Sequence, residues 1–364
     1  MKEKIKYAGA MLICFIAVLF IRMPVMADDG VPETAWRDNA ATDFAGGSGT
    51  EADPYQITDG AQLAKIAKDV ENGTVYKDAY FRLENDIDLS AHRWNPIGVY
   101  KWYEGGATED RMFAGFLDGN GKTITGLIVD ERTEKNRAGL FGQIAYTGAA
   151  TNVGVKDLNI VDARIYATNE GMEKNSSAIL AGFVMANSGH TIRFDDISVS
   201  GTIVNTKVGD NSMMSGGLFG EANRVTADHC RADVTIEGGD NTGGFVGLDG
   251  SSTYTNCKVT GKVTGLWAIG GFVGYAWEAE SATMSTYDNC IAKVDVVANE
   301  WRAGGFAGYM QKGKSSSCAA LGDVTSSVTG FNPKVGGFAG EIGDKNVTDG
   351  AILEKCYAAG KVTA

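Results

Sequence analysis

The chain has 364 residues, and its 33 Lys+Arg against 45 Asp+Glu give a formal net charge of −12 at pH 7. An acidic chain without a basic cluster is a poor partner for nucleic acid or anionic lipid, which are held by neutralising phosphates. The 49 Gly and 5 Pro, set among many Phe, Val, Ile and Trp, exclude a disordered polymer and imply an ordered chain with frequent tight turns.

The chain opens like an export signal. Lys2, Lys4 and Lys6 precede an apolar run from Tyr7 to Ile21, and Val25-Met26-Ala27 fits a small-residue cleavage site, so residues 1–27 are expected to be a signal peptide. The run is shorter than the ~18 residues of a membrane span, and no second one follows. Cleavage would leave 29 Lys+Arg and 44 Asp+Glu, a net charge of −15, on a secreted or cell-surface protein.

Residues 28–45 show no period apart from Trp36 and read as a linker. Residues 46–110 read as an N-terminal cap and first coil. Asp53-Pro54-Tyr55-Gln56-Ile57 turns into a short strand. A helix follows: Thr58 or Asp59 can cap it, Leu63, Ile66, Ala67 and Val70 share one face, and Asn72-Gly73 ends it. Such a helix would cover the first open sheet edge, where unpaired backbone groups recruit other chains. Phe81, Leu83, Ile87 and Leu89 then line one side of a strand, with Arg82, Glu84, Asp86 and Asp88 on the other.

Residues 111–364 are repetitive. Ala138-Gly139-Leu140-Phe141-Gly142 and a degenerate Ala181-Gly182-Phe183-Val184 lead to Gly216-Gly217-Leu218-Phe219-Gly220 and Gly243-Gly244-Phe245-Val246-Gly247. Copies at Gly270-Gly271-Phe272-Val273-Gly274, Gly304-Gly305-Phe306-Ala307-Gly308 and Gly336-Gly337-Phe338-Ala339-Gly340 follow, at spacings of 27 to 43 residues. That is the signature of a solenoid, whose units bury their apolar faces only against neighbours. The fold expected is all-β, a right-handed parallel β-helix with a short N-terminal capping helix, of eight or nine coils at ~4.8 Å each. A propeller, needing four strands per blade, fits less well. The next Gly-Gly begins 13, 13, 14 and 18 residues after Cys230, Cys257, Cys290 and Cys318, yet eight residues follow Cys356, so the array is expected to be cut short at its C-terminus.

Cys230, Cys257, Cys290, Cys318 and Cys356 each open an alternating run such as Cys230-x-Ala232-x-Val234-x-Ile236. Leu127, Leu158 and Ile197 hold the same place earlier, and a column that exchanges Cys for Leu and Ile is a core column. Disulfides between successive coils are the alternative that strand spacing permits. A metal ladder is disfavoured because no Cys-x-x-Cys or Cys-His spacing accompanies it. The residues just before these positions, among them His229, Asn256 and Asn289, read as a polar turn ladder.

The Gly-Leu/Phe-x-Gly segments resemble the GLUG motif. Asn85-Asp86-Ile87-Asp88-Leu89, Trp94-Asn95-Pro96-Ile97-Gly98 and Phe116-Leu117-Asp118-Gly119-Asn120-Gly121 look like the usual lead-in of such proteins, so the likeness covers about residues 46–364. The resemblance implies an exported bacterial protein of the kind that includes non-catalytic regions of IgA-specific metalloendopeptidases and filamentous-haemagglutinin-like adhesins. In that family the motif marks a scaffold and carries no catalytic residues.

No catalytic residue and no cofactor is expected. His92, His190 and His229 are the histidines of the chain, and none lies in a His-Glu-x-x-His pattern or beside a Gly-x-Ser-x-Gly elbow. Glu84, Asp86 and Asp88 share a face, and Asp195-Asp196 stand before Ile197. These read as solvated acids, with Asp86 and Asp88 as weak calcium candidates that lack a bidentate Glu. The binding candidates are aromatic: Trp267 and Trp301 each precede their Gly-Gly by three positions, and Tyr275 and Tyr309 each follow their Gly-Phe-x-Gly. Exposed rows of this kind suit a host or cell-surface glycan or protein, whereas rings stacked on one another would merely close the loops. The function expected is an adhesin-like surface binding module. The alternatives are the non-catalytic arm of a larger secreted protease, or a polysaccharide-active β-helix enzyme.

Overall fold

The computed structural model describes residues 30–102, 108–134, 136–145, 152–168, 174–206, 212–277, 283–327, 333–343 and 350–364. Residues 1–31 form one unit and residues 32–364 a second, and every helix and strand among the described residues lies in the second. The expected signal peptide lies outside the described residues.

Among the described residues the second unit is built from three parallel sheets of twenty, six and seven strands, plus a small antiparallel hairpin of Val99–Trp102 with Thr108–Arg111. From Ser212 onward each repeat passes from a strand of the six-stranded sheet through Gly-Gly into a strand of the seven-stranded sheet, as from Ala268–Gly270 to Val273–Ala276. Each strand pairs with its equivalent in the next repeat, so Val246, Val273, Ala307 and Ala339 form one register column. The paired glycines are required by the sharpness of that corner. A Cβ on Gly270 would sit 2.0 Å from the Val273 carbonyl oxygen, and one on Gly271 would sit 2.1 Å from that of Gly305.

The Phe of every motif copy but one points inward; Phe183 of the degenerate copy lies level with Gln143 and Glu221 and packs against the Arg137 guanidinium at 3.7 Å. Phe245, Phe272, Phe306 and Phe338 stack with centroids 4.6, 4.9 and 4.8 Å apart, and Tyr254 and Tyr287 stack beside them at 5.3 Å. Burying one such ring stabilises by roughly 1.5–3 kcal/mol. The Cys column is core too: Cys230, Cys257, Cys290 and Cys318 are fully buried and unbridged, while Cys356 is half-buried. Strand Arg231–Glu237 beyond Cys230 alternates between exposed and buried along its whole length. Burial pushes the Cys230 and Cys290 thiols well above their ordinary range.

Immediately before that column the backbone turns left-handed. Gly126, Asp157, Asp196, His229, Asn256, Asn289, Ser317 and Lys355 all have φ between 50° and 66°. Asn and Asp tolerate this region better than most residues. Their side chains add a ladder, in which Asn289 Nδ2 donates to Asn256 Oδ1 at 2.7 Å and Asn256 Nδ2 to Asp228 Oδ1 at 3.1 Å.

Helix α1 spans Gly60–Glu71, capped by Asp59, whose side chain accepts from the Gln62 amide, and its Leu63, Ile66, Ala67 and Val70 are buried as expected. Two expectations are corrected nearby. The single strand expected through Phe81 to Leu89 is two, Tyr80–Leu83 and Ile87–Asp88, parted by a corner at which Asp86 accepts from the Thr123 amide. The expected linker is docked from residue 32 onward. Trp36 donates to the Leu89 carbonyl at 2.9 Å, and Phe44 packs on Tyr55 and Phe81 at 4.7 and 5.6 Å. Aromatic area buried at isolated positions, without any period, holds this segment down.

Candidate functional site

The structure brings the four predicted aromatic residues together on the outside of the sheets. Trp267 and Trp301 lie in bends just ahead of the paired strands Ala268–Gly270 and Arg302–Gly304, which sets the two indoles level on successive repeats, 5.8 Å apart. Tyr275 and Tyr309 face each other across Val273–Ala276 and Ala307–Met310, stacked at 4.9 Å and 7°. Trp267 lies edge-on to both tyrosines, at 5.6 and 6.2 Å.

Sequence reasoning missed the residue that three of these rings surround. The Arg302 guanidinium lies 3.8 Å from the ring centre of Trp301, 4.2 Å from that of Trp267 and 4.5 Å from that of Tyr309. Its Nε donates to Glu341, to which Lys334 also donates, and Lys334 lies 5.8 Å above Trp301. Partial burial pushes the Glu341 carboxyl up, but the hydrogen bonds from Lys334 and Arg302 outweigh it and hold the carboxyl below its ordinary value. Arg302 is only 6% exposed, and its Nη1 is buried without a hydrogen-bond partner among the described residues. Register could have pointed to this group, since Ala268, Arg302 and Lys334 form one column and Tyr275, Tyr309 and Glu341 another.

The four rings differ in access. Trp301 is 38% exposed, Trp267 and Tyr275 are half-buried, and Tyr309 is buried. Tyr275 donates to Gln311 Oε1 at 2.6 Å, which fixes its ring edge. The arrangement is a stacked aromatic cluster around a buried, ion-paired guanidinium, with Trp301 as its exposed ring.

The other candidates are not assembled into a site. Asp86 and Asp88 each accept a backbone amide at 2.8 Å, from Thr123 and Ser90, and the Ser90 hydrogen bonds hold the Asp88 carboxyl below its ordinary value. Among the described residues no group of three or more His, Cys, Asp or Glu could hold a metal. His92 lies against Thr34 at 2.6 Å and His229 against Asp228 at 3.0 Å, on separate repeats. Among the described residues no helix is long and apolar enough to cross a membrane.

No known family profile matches the chain. Halomucin of Haloquadratum walsbyi is 29% identical over 191 residues, 51% of this chain and 2% of halomucin. A protein provisionally named a Gly-rich membrane protein, from Evansella cellulosilytica, is 31% identical over 150 residues, 40% of this chain and 15% of its own length. The chain thus spans a small part of the curated relatives it matches. Among solved structures, a provisionally assigned immunoglobulin A1 protease of Bacteroides ovatus superposes with a TM-score of 0.51 at 17% identity, covering 88% of this chain and 87% of that one. At that identity the likeness shows a shared fold.

Proposed function

We propose that this chain is an exported, adhesin-like binding module of a bacterial surface, built as a GLUG-type right-handed parallel β-helix, and that it binds through the aromatic cluster at Trp267, Trp301 and Tyr275. The observation that carries the reading is the convergence of Trp267, Trp301 and Tyr309 on buried Arg302, with Tyr275 stacked on Tyr309, while Trp301 stays 38% exposed. The four rings pack on one another, so the surface offered to a ligand is the exposed part of Trp301. Handedness is inferred from the parallel pairing of equivalent strands, since crossovers between parallel strands are right-handed in about 98% of cases. Export rests on the basic and apolar residues of 1–27. We assign residues 46–110 to the cap and first coil and 111–364 to the repeats.

The ligand proposed is a host or cell-surface glycan or glycoprotein. Screening the chain on a glycan and glycoprotein array against a Trp267→Ala/Trp301→Ala variant tests it. The expected loss is about 1–3 kcal/mol, as for hot-spot aromatics, with the fold unchanged by circular dichroism. Binding retained by the folded double variant would move the site elsewhere.

A second reading, a non-catalytic arm of a larger secreted protease, is favoured by the description of the Bacteroides ovatus structure, which this chain overlies for 88% of its length. Purification of the native gene product with a proteolytic domain attached would support it.

A further inference from the structure

We propose a second binding site, for neutral oligosaccharides, in the groove that crosses the outer face of the twenty-stranded sheet near its N-terminal end. The groove has a volume of about 470 Å³ and lies among the strands that begin at Tyr80, Phe116, Gly154 and Ile192.

Two register columns form its floor. In one, Tyr80, Phe116, Gly154 and Arg193 stand on successive strands. Tyr80 and Phe116 are half-buried and lie 5.6 Å apart, tilted by 36°, and Gly154 puts no side chain on the far side of Phe116, so a ring face is left open. The Tyr80 hydroxyl accepts from Asn152, which holds the ring in place. The Gly is needed for the backbone as well, since a Cβ there would sit 2.2 Å from the Arg193 carbonyl oxygen.

The second column, two residues further along the same face, alternates in charge: Arg82, Asp118, Lys156, Asp195. Lys156 pairs with Asp118 at 3.4 Å, and Arg193 with Asp195 at 2.9 Å. Arg82 instead contacts no carboxylate among the described residues, donates through Nη2 to Asn120 at 2.8 Å, and leaves its buried Nε without a partner.

These features select a ligand. Donors and acceptors alternate at one strand spacing, ~4.8 Å, which suits pyranose hydroxyls on alternate ring carbons, since each hydroxyl can both donate and accept. The open Tyr80 and Phe116 faces suit its C–H face. Three basic and three acidic side chains, Glu51 being the third acid, line the groove, so it has no net charge with which to attract a polyanion, and the chain as a whole is acidic.

Calorimetric titration of the full chain with cellohexaose, maltohexaose, chitohexaose and a hexagalacturonate tests this. At least one neutral hexaose is expected to bind. Its affinity should fall at least about tenfold, as for loss of central interface residues, in Tyr80→Ala/Arg82→Gln. Should Tyr80→Ala unfold the chain, Lys156→Gln/Arg193→Gln, at more exposed positions, should show the same loss. Absence of neutral binding, binding of the galacturonate alone, or unchanged affinity in a folded groove variant would overturn the proposal. Loss of hexaose binding in the Trp267→Ala/Trp301→Ala variant alone would overturn it too, and would place the sugar on the aromatic cluster instead.

Discussion

Phe272 stacks on Phe306 at 4.9 Å and 5°, and three residues further along the same repeats Tyr275 stacks on Tyr309 at 4.9 Å and 7°. The two ring pairs have nearly the same geometry and opposite surroundings. Phe272 and Phe306 are fully buried among other rings, whereas Tyr275 is half-buried against the Trp267 indole and Tyr309 packs on the Arg302 guanidinium. The acids of the two sides diverge likewise. Inside, Asp249 accepts from the Tyr254 and Tyr287 hydroxyls at 2.8 and 2.6 Å, yet burial pushes its carboxyl above the ordinary value. Outside, two cations hold the Glu341 carboxyl below its own. Stacking is therefore a property of the repeat, and what separates core from candidate site is water access and the sign of the neighbouring charge.

The sharpest way to break this contrast is Phe272→Ala, expected to cost about 3–5 kcal/mol in denaturant melts as a buried truncation. Equal losses from Tyr275→Ala would show that the two faces are assigned wrongly.

The two acids should respond to pH in opposite directions. The folded chain holds the Asp249 proton more tightly than the unfolded chain, so this contribution is full below the ordinary value of 3.8 and is lost as pH rises through the raised folded value. Asp249→Asn should flatten a decline of the melting midpoint from pH 4 towards neutrality, and an unchanged slope would refute the assignment. Glu341 contributes above its ordinary value of 4.5, and that contribution is lost as pH falls through the depressed folded value. Glu341→Gln should remove only a small acid-side loss, because the pair is partly solvated.

Thiol labelling sharpens the same division. Native alkylation should modify half-buried Cys356 first and leave Cys230, Cys257, Cys290 and Cys318 protected until the chain unfolds, as peptide mapping would show. Disulfides between neighbouring repeats in such maps would contradict unbridged core thiols. The smallest effect expected is that of Tyr275→Ala, roughly 1 kcal/mol or less, the worth of a half-exposed ring and one hydrogen bond to Gln311.

Local pattern made much of the fold legible. Alternation placed Cys230, Ala232, Val234 and Ile236 on one buried face, and the α1 face was read from its 3.6-residue period and its cap. What was illegible lies across register. Arg302 meets Trp267 and Glu341 from 35 and 39 residues away, and repeats of unequal length hide which positions will be level. The groove at Tyr80 and Arg82 was hidden for the same reason, its columns being drawn from strands far apart in the chain. Docking of residues 32–45 left no trace in the pattern, because single rings such as Trp36 and Phe44 carry it without any period. The aromatics of the cluster could be named from motif spacing alone, but not their unequal access, which depends on what Arg302 covers.

The ladder of strand pairings from Val246 to Ala339 has a mechanical consequence. Each strand's backbone hydrogen bonds run to its equivalents in neighbouring repeats, so tension along the stack peels the ladders one after another instead of shearing them together. Pulled from its two ends, the molecule should extend in steps of one repeat at modest force, and each freed repeat should refold on the template of the one still standing.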